Sequence, residues 1–366
     1  MSTPVGPLGS GLGGGVELTL TNLNQVLSQR GHQIQIVAPA GSVLPNISVI
    51  EIPGDPPPTA HTQTRDTPAL ISAGALLPGM WDYARSHQHR FDLIVNFAYD
   101  WLPFYLTPFF QVPVAHFVSM GSLSKVMDWA IAQVVELFPS RIGFYTETQA
   151  RTFKSSINHL STEALSSGQI LGSAIDLALY RYCSEPANCL AWLGRVSPEK
   201  GLEDAIAAAQ ATGIPLKIMG KLEDEAYWQQ LQADYPHAPI QYLGFLPTVD
   251  MQAELRCCRA LLMTPRWVEA FGNVAIEALA CGVPVIAYSR GGPREIVDPG
   301  RTGYLVSPDS VDGLIEAIAA IDQIDRRACR EQAEVRYSLE ALGDRFEAWF
   351  NQILSSMSPL DCGQSG

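Results

Sequence analysis

The stretch PRWVEAFGNVAIEALACGVPVIAYSRGG, residues 265–292, decides the fold. It reads as a loop, a helix over GNVAIEALACG, a buried strand over VPVIAYS and a closing glycine pair. Gly282 suits a left-handed helix stop, and Pro284 suits the entry to the strand. Glu269 and Glu277 are eight residues apart, which along a continuous helix is ~12 Å. Glycosidase carboxylates stand ~5 to 9.5 Å apart, so hydrolysis by that arrangement is disfavoured and a longer ligand fits. With a helix start near Gly272, the amides of the helix's first turn point at an anion. Glu269 then lies beyond the N-terminus and Glu277 about a turn inside. One carboxylate can hold a sugar and the other a ribose, with a diphosphate between them. Either glutamate alone is better read as a solvated helix residue; the constellation shifts the balance.

Helices and strands alternate outward from this stretch. CLAWLGRVSPEKG leads into a helix over Leu202 to Thr212, and the strands IPLKIMG and IQYLGFL follow. A helix ending near Cys258, the strand ALLMTP and the strand TGYLVSP complete a βα series. Upstream, GVELTLTNLNQVLSQRG sets Val16, Leu20, Leu23 and Leu27 on one stripe and stops at Gly31. HQIQIVAPA, FDLIVNFAYDW, VPVAHFVSM and RIGFYTE supply strands, and residues 53–68, rich in proline and threonine, read as a long surface loop. Two series of similar size, joined near residues 165–190, imply an α/β fold of two doubly wound Rossmann-like domains facing a cleft. Ligands are expected at the carboxyl ends of the strands.

GRVSPEKG carries Arg195 and Lys200 from a strand end into a loop, where a fork donor and a point charge can neutralise a leaving diphosphate. GGPREI sets Gly291 and Gly292 after a buried strand, as a second loop for close approach, with an ordinary turn as the plainer reading. The front of the chain is unusual: six glycines fall between Gly6 and Gly15, a phosphate-approach loop running into a helix, yet only Met1, Ser2 and Thr3 precede it. The expectation is that the first strand of the first domain is missing, which would leave its neighbours with unpaired backbone groups.

Composition narrows the function classes. Lys+Arg 24 against Asp+Glu 37 gives a net charge of −13, which argues against nucleic acid as a partner. No apolar run reaches the ~20 residues of a membrane span, and the N-terminus lacks signal-peptide order, so a cytoplasmic protein is expected. The cysteines, including adjacent Cys257 and Cys258, form neither a disulfide framework nor C-x-x-C spacing, and read as small buried thiols. No metal site is expected, and His87 to His89 read as a solvated helix end.

GRVSPEKG, the Glu269 to Glu277 run, GGPREI and the Gly-rich front resemble the family-4 retaining glycosyltransferases of GT-B fold, over essentially the whole chain. YSLEALGDRFEAWFNQIL resembles the helix that crosses back to the first domain in those enzymes. The implied organisation is an acceptor domain over residues 1–170, a nucleotide-sugar domain over 171–335 and a crossing helix over 336–356. The resemblance implies metal-free transfer with retention and no cofactor. Glu269, Arg195 and Lys200 would be catalytic. Gly14, Gly15, Phe271, Gly272, Asn273, Glu277, Gly291 and Gly292 would bind the donor. Residues 2–20, 96–110, 115–124 and 264–288 are most similar to members that use UDP-glucose as donor and a pterin, tetrahydrobiopterin, as acceptor.

The acceptor half is less defined. Tyr99, Asp100 and Trp101 follow the strand FDLIVNFA, where an aromatic pair could sandwich a flat heterocycle and Asp100 could accept from its N–H groups; loop packing is the equal alternative. Many family members carry a histidine at the end of the strand resembling VPVAHFVS. Here that position is Ser119, with His116 three residues earlier, so His116 either faces the acceptor or sits in the core. Three further readings stay open: a lipid or saccharide acceptor, a UDP-sugar epimerase of related architecture, and a sugar-nucleotide binder without turnover.

Overall fold

In a computed structural model, which describes residues 1–11, 13–44, 47–57, 65–68, 72–154 and 168–356, the chain divides into two units. The first comprises Met1–Ser173 and the chain from Leu342 on; the second is Ala174–Ala341. Of the expected surface loop, residues 58–64 lie outside the described residues.

Among its described residues the first unit contains two parallel sheets. β1 (Ile36–Pro39) pairs with β2 (Val49–Ile52), and β3 (Ile94–Asn96), β4 (Val114–Val118), β5 (Ile142–Phe144) and β6 (Gln169–Ile170) follow one another in order. Met1 and Ser2 bridge the two sheets. The Ser2 amide donates to the Val37 carbonyl at 2.9 Å, the Met1 amino group donates to the Val95 carbonyl at 2.8 Å, and the Met1 carbonyl accepts from the Phe97 amide at 3.0 Å. The Val37 carbonyl of β1 and the Val95 carbonyl of β3 thus find partners in these two residues. Burial pushes the Met1 amino group down to about 5.

The stripe predicted after the glycine loop forms the helix Gly14–Gln29, with Leu20, Leu23 and Leu27 buried. It closes in a Schellman motif, the His32 amide on the Leu27 carbonyl and the Gly31 amide on the Ser28 carbonyl, both at 3.1 Å. The C-terminal helix Leu339–Ser355 groups with this unit from Leu342 for visible reasons. Arg345 donates to the Leu171 carbonyl at 2.6 Å, the Trp349 indole donates to the Ser140 carbonyl at 2.7 Å, and Arg30 pairs with Asp344 and Glu347.

The second unit is one six-stranded parallel sheet of β7 (Leu190–Leu193), β8 (Leu216–Met219), β9 (Ile240–Gly244), β10 (Ala260–Met263), β11 (Val285–Tyr288) and β12 (Gly303–Val306). Its order is β12-β11-β10-β7-β8-β9. The chain winds outward from β7 to β9, returns to β10 on the other side of β7, and winds outward again. The order thus reverses between β7 and β10, the point at which doubly wound sheets take ligands. Residues of β10 and β11 are buried throughout, as the continuous apolar runs require.

Candidate functional site

The loops leaving β7 and β10 meet at the carboxyl edge of the second sheet. Gly201 starts the helix Leu202–Thr212 with φ +63°, and a Cβ added there would lie 2.1 Å from the Thr264 carbonyl oxygen, so glycine is required for both conformation and space. The Thr264 hydroxyl donates to the Gly201 carbonyl at 2.7 Å and accepts from the Trp192 indole at 3.3 Å; the Arg266 amide donates to the Glu199 carbonyl at 2.9 Å. This stitching brings Lys200 to Glu269. Their Nζ and Oε2 atoms are 2.5 Å apart, with side chains only 20% and 16% exposed, which shelters the pair from the screening that weakens surface ion pairs. The Trp267 indole donates to the same carboxylate oxygen at 3.1 Å, and the Lys200 ammonium sits 4.9 Å from the centre of the Trp267 ring. Burial pushes the Glu269 carboxyl up, but Lys200, the Trp267 hydrogen bond and the charge of Arg195 outweigh it and hold it below the usual range. Arg195 itself pairs with Glu223 at 2.5 Å and Glu199 at 3.1 Å.

Gly272 caps the helix Asn273–Ala280, so Glu269 lies in the turn before the helix and Glu277 lies inside it. The buried Phe271 ring packs edge-on against Tyr337, with the ring centres 6.0 Å apart. Gly291 and Gly292 lie directly against this turn. Added Cβ atoms would come within 2.3 Å of the Glu269 carbonyl oxygen and 2.2 Å of the Phe271 carbonyl oxygen, and the Gly292 amide donates to the Glu269 carbonyl at 2.7 Å. The turn is also held from its other side. Arg290 donates to the Pro265 carbonyl and to Asp309, both at 2.7 Å, while Arg266 reaches Asp309, Asp204 and Glu203.

Glu277 occupies a different electrostatic setting. Burial pushes it up to about 7, and the hydrogen bond from the Tyr180 hydroxyl at 2.9 Å offsets only part of that. The edge thus pairs a firmly ionised carboxylate with one that titrates near neutrality. Among the described residues no group of three or more His, Cys, Asp or Glu side chains is arranged to hold a metal ion, and no helix is long and apolar enough to cross a membrane.

Residues 184–336 match the family model for glycosyl transferases group 1. The second unit is thus similar to group 1 glycosyl transferases over nearly its whole length. The chain is 28% identical over 246 residues to glycogen synthase of Mycobacterium tuberculosis, covering 61% of this chain and 59% of that protein, so it spans about three fifths of the length of that relative. It is 24% identical over 376 residues to D-inositol 3-phosphate glycosyltransferase of Mycolicibacterium paratuberculosis, covering 87% and 80% of the two chains. The structure of Anabaena HepE in complex with UDP and glucose superposes with a TM-score of 0.72 at 18% identity, over 94% of this chain and 96% of that one. The architecture of both units is therefore the GT-B fold.

The second unit holds Arg195, Lys200, Glu269, Phe271, Gly272, Asn273, Glu277, Gly291 and Gly292. Gly14 and Gly15 belong to the first unit, at the start of the helix Gly14–Gln29, where Glu17 from the first turn accepts from the Gly9 amide at 2.5 Å. The other first-unit candidates are largely occupied by the fold. Asp100 caps the helix Trp101–Leu106 by accepting from the Leu102 amide at 3.0 Å, and the Tyr99 hydroxyl donates to the Gly121 carbonyl at 2.6 Å. His116 is corrected: it is fully buried in β4, stacked on Phe104 at 4.1 Å, with Nδ1 3.1 Å from Asn96 and Nε2 2.7 Å from Thr107, and burial lowers it to about 3. A neutral ring with both nitrogens used belongs to the core and cannot meet an acceptor. Ser119, just beyond β4, is also buried. Trp101 is half-buried, with its ring 5.9 Å from that of the exposed Tyr105. Sequence reasoning missed Trp267 and Tyr180. Trp267 lies two residues before Glu269 and was within reach of a local reading; Tyr180 lies 97 residues before Glu277, with no local signal.

Proposed function

We propose that this chain is a cytoplasmic retaining glycosyltransferase that moves glucose from UDP-glucose to a small acceptor, tetrahydrobiopterin. The observation that carries the transfer reading is the sheltered Lys200–Glu269 pair beside a helix N-terminus at the sheet edge. In this reading Glu269 receives the sugar hydroxyls and Glu277 the ribose. Arg195, Lys200 and the amides of residues 271–273 stabilise charge growing on the diphosphate, a preorganised effect of several kcal/mol. The bond from the anomeric carbon to the diphosphate breaks, the bond to the acceptor oxygen forms on the same face, and the acceptor proton passes to the leaving phosphate oxygen.

Trp101 supplies the stacking face for the acceptor. The pterin rests on the similarity of residues 2–20, 96–110, 115–124 and 264–288 to pterin-modifying members. A second acceptor class is favoured by coverage: the relatives matching 87% of this chain are named D-inositol 3-phosphate glycosyltransferases. The test is incubation with UDP-glucose and either acceptor, followed by mass spectrometry and anomeric proton NMR. A pterin gaining one α-linked hexosyl group supports the proposal. Hexosyl transfer to inositol phosphate alone replaces the acceptor. Conversion of UDP-glucose to its epimer, or binding without turnover, rejects transfer.

A further inference from the structure

At the opposite end of the same two central strands, Cys189 immediately precedes β7 and Cys258 lies two residues before β10. The backbones are joined there, the Arg259 amide donating to the Cys189 carbonyl at 2.8 Å, and the register pairs Leu190 with Ala260. The two sulfurs are 3.6 Å apart. Both residues are buried, Cys189 directly after the exposed run of residues 184–188 and Cys258 completely. We propose that Cys189 and Cys258 form an oxidisable dithiol, a modification site at which a peroxide converts two thiols into one disulfide across the centre of the sheet.

The roles of the two sulfurs differ. Burial raises the Cys258 thiol, while the charge of Lys217 favours the thiolate of Cys189. Cys189, which borders the exposed run of residues 184–188 while Cys258 is completely buried, is the sulfur a peroxide reaches first, and as a thiolate it attacks. Its sulfur takes one oxygen of hydrogen peroxide to give a sulfenic acid, releasing the other as hydroxide. The Cys258 sulfur then displaces the second hydroxide. The protons of the two thiols end on these hydroxides, so the balance is two thiols and one peroxide to one disulfide and two waters. The bridge would close the chain between positions 189 and 258 at the amino ends of β7 and β10, away from the loops that carry Lys200 and Glu269. Neighbouring Cys257 has its own contact, 3.5 Å from the Ala253 carbonyl, and is not needed for the pair.

The test treats the folded full-length chain with hydrogen peroxide, blocks remaining thiols by alkylation under denaturing conditions, and maps peptides before and after a phosphine reductant. The expected result is a reducible Cys189–Cys258 linkage. It should raise the thermal midpoint by about 5 °C or more, as a long closed loop does. Cys189→Ser and Cys258→Ala should each abolish both the linkage and the shift, and either variant suffices if the other does not fold. Recovery of both residues as alkylated thiols, or a linkage through Cys183 or Cys257 instead, overturns the proposal.

Discussion

The carboxyl edges of the two units carry candidates of similar chemical type and use them differently. In the second unit Lys200, Glu269 and Trp267 face one another, and the backbone beneath them is fixed by glycines. In the first unit Asp100 caps a helix, Tyr99 ties two loops, and His116 is sealed in the core. Polar residues that satisfy the fold's own backbone are not available to a ligand, whereas charges whose partners are each other can exchange them for one. The proposed function accordingly draws its donor-binding residues mainly from the second edge and, for the acceptor, rests on Trp101 of the first.

The largest effect expected is at Lys200. Lys200→Ala removes the counter-ion of a sheltered carboxylate, and transfer should fall by ~10² or more, as should that of Glu269→Ala. Near-normal turnover in both variants would dissolve the contrast. Next comes Gly291→Ala, whose methyl would press on the Glu269 carbonyl at a φ of 72°, against Gly14→Ala, whose methyl meets nothing within 4 Å. The first should cost transfer at least about tenfold by displacing the turn. The second should cost only the ~1 to 2 kcal/mol of a left-handed residue, read from denaturant midpoints. Equal losses would mean that the two glycine loops do the same work.

Glu277 sharpens the comparison through pH. Its folded value of about 7 lies above the ordinary 4.5, so the native state binds more protons than the unfolded one between those values. Stability from this group is full below 4.5 and is lost as pH rises through 7. Glu277→Gln should therefore raise the thermal midpoint at pH 8 relative to wild type and change it little at pH 4.5. UDP affinity should drop about tenfold at pH 8 through loss of a charged acceptor. A midpoint difference independent of pH would remove the buried carboxylate from the account. The smallest effects belong to the first edge. Asp100→Ala should cost ~1 kcal/mol of stability as a lost cap and leave UDP affinity unchanged. Trp101→Ala should raise the acceptor KM by the equivalent of ~1 to 3 kcal/mol, by analogy with base stacking.

What was legible in the sequence follows the same division. The helix Leu202–Thr212 is framed by Gly201 and Gly213, and the strands β10 and β11 announce themselves as unbroken apolar runs, so that half of the fold could be read directly. The helix Glu225–Asp234 was missed because Leu231 is its one fully buried residue and there is no stripe to detect. Lys200 and Glu269 were legible as types, because their loops leave recognisable strand ends. Their pairing across 69 residues was not. His116 was ambiguous for a related reason: its partners Asn96 and Thr107 lie 20 and nine residues away, and only the packed sheet reveals that both ring nitrogens are satisfied.

The most direct measurement is calorimetric titration of UDP into the wild-type chain, Lys200→Ala and Trp101→Ala. The account predicts saturable binding to wild type, loss of about tenfold or more in affinity for Lys200→Ala, and wild-type affinity for Trp101→Ala. Unchanged affinity in Lys200→Ala, with binding lost in Trp101→Ala, would contradict it.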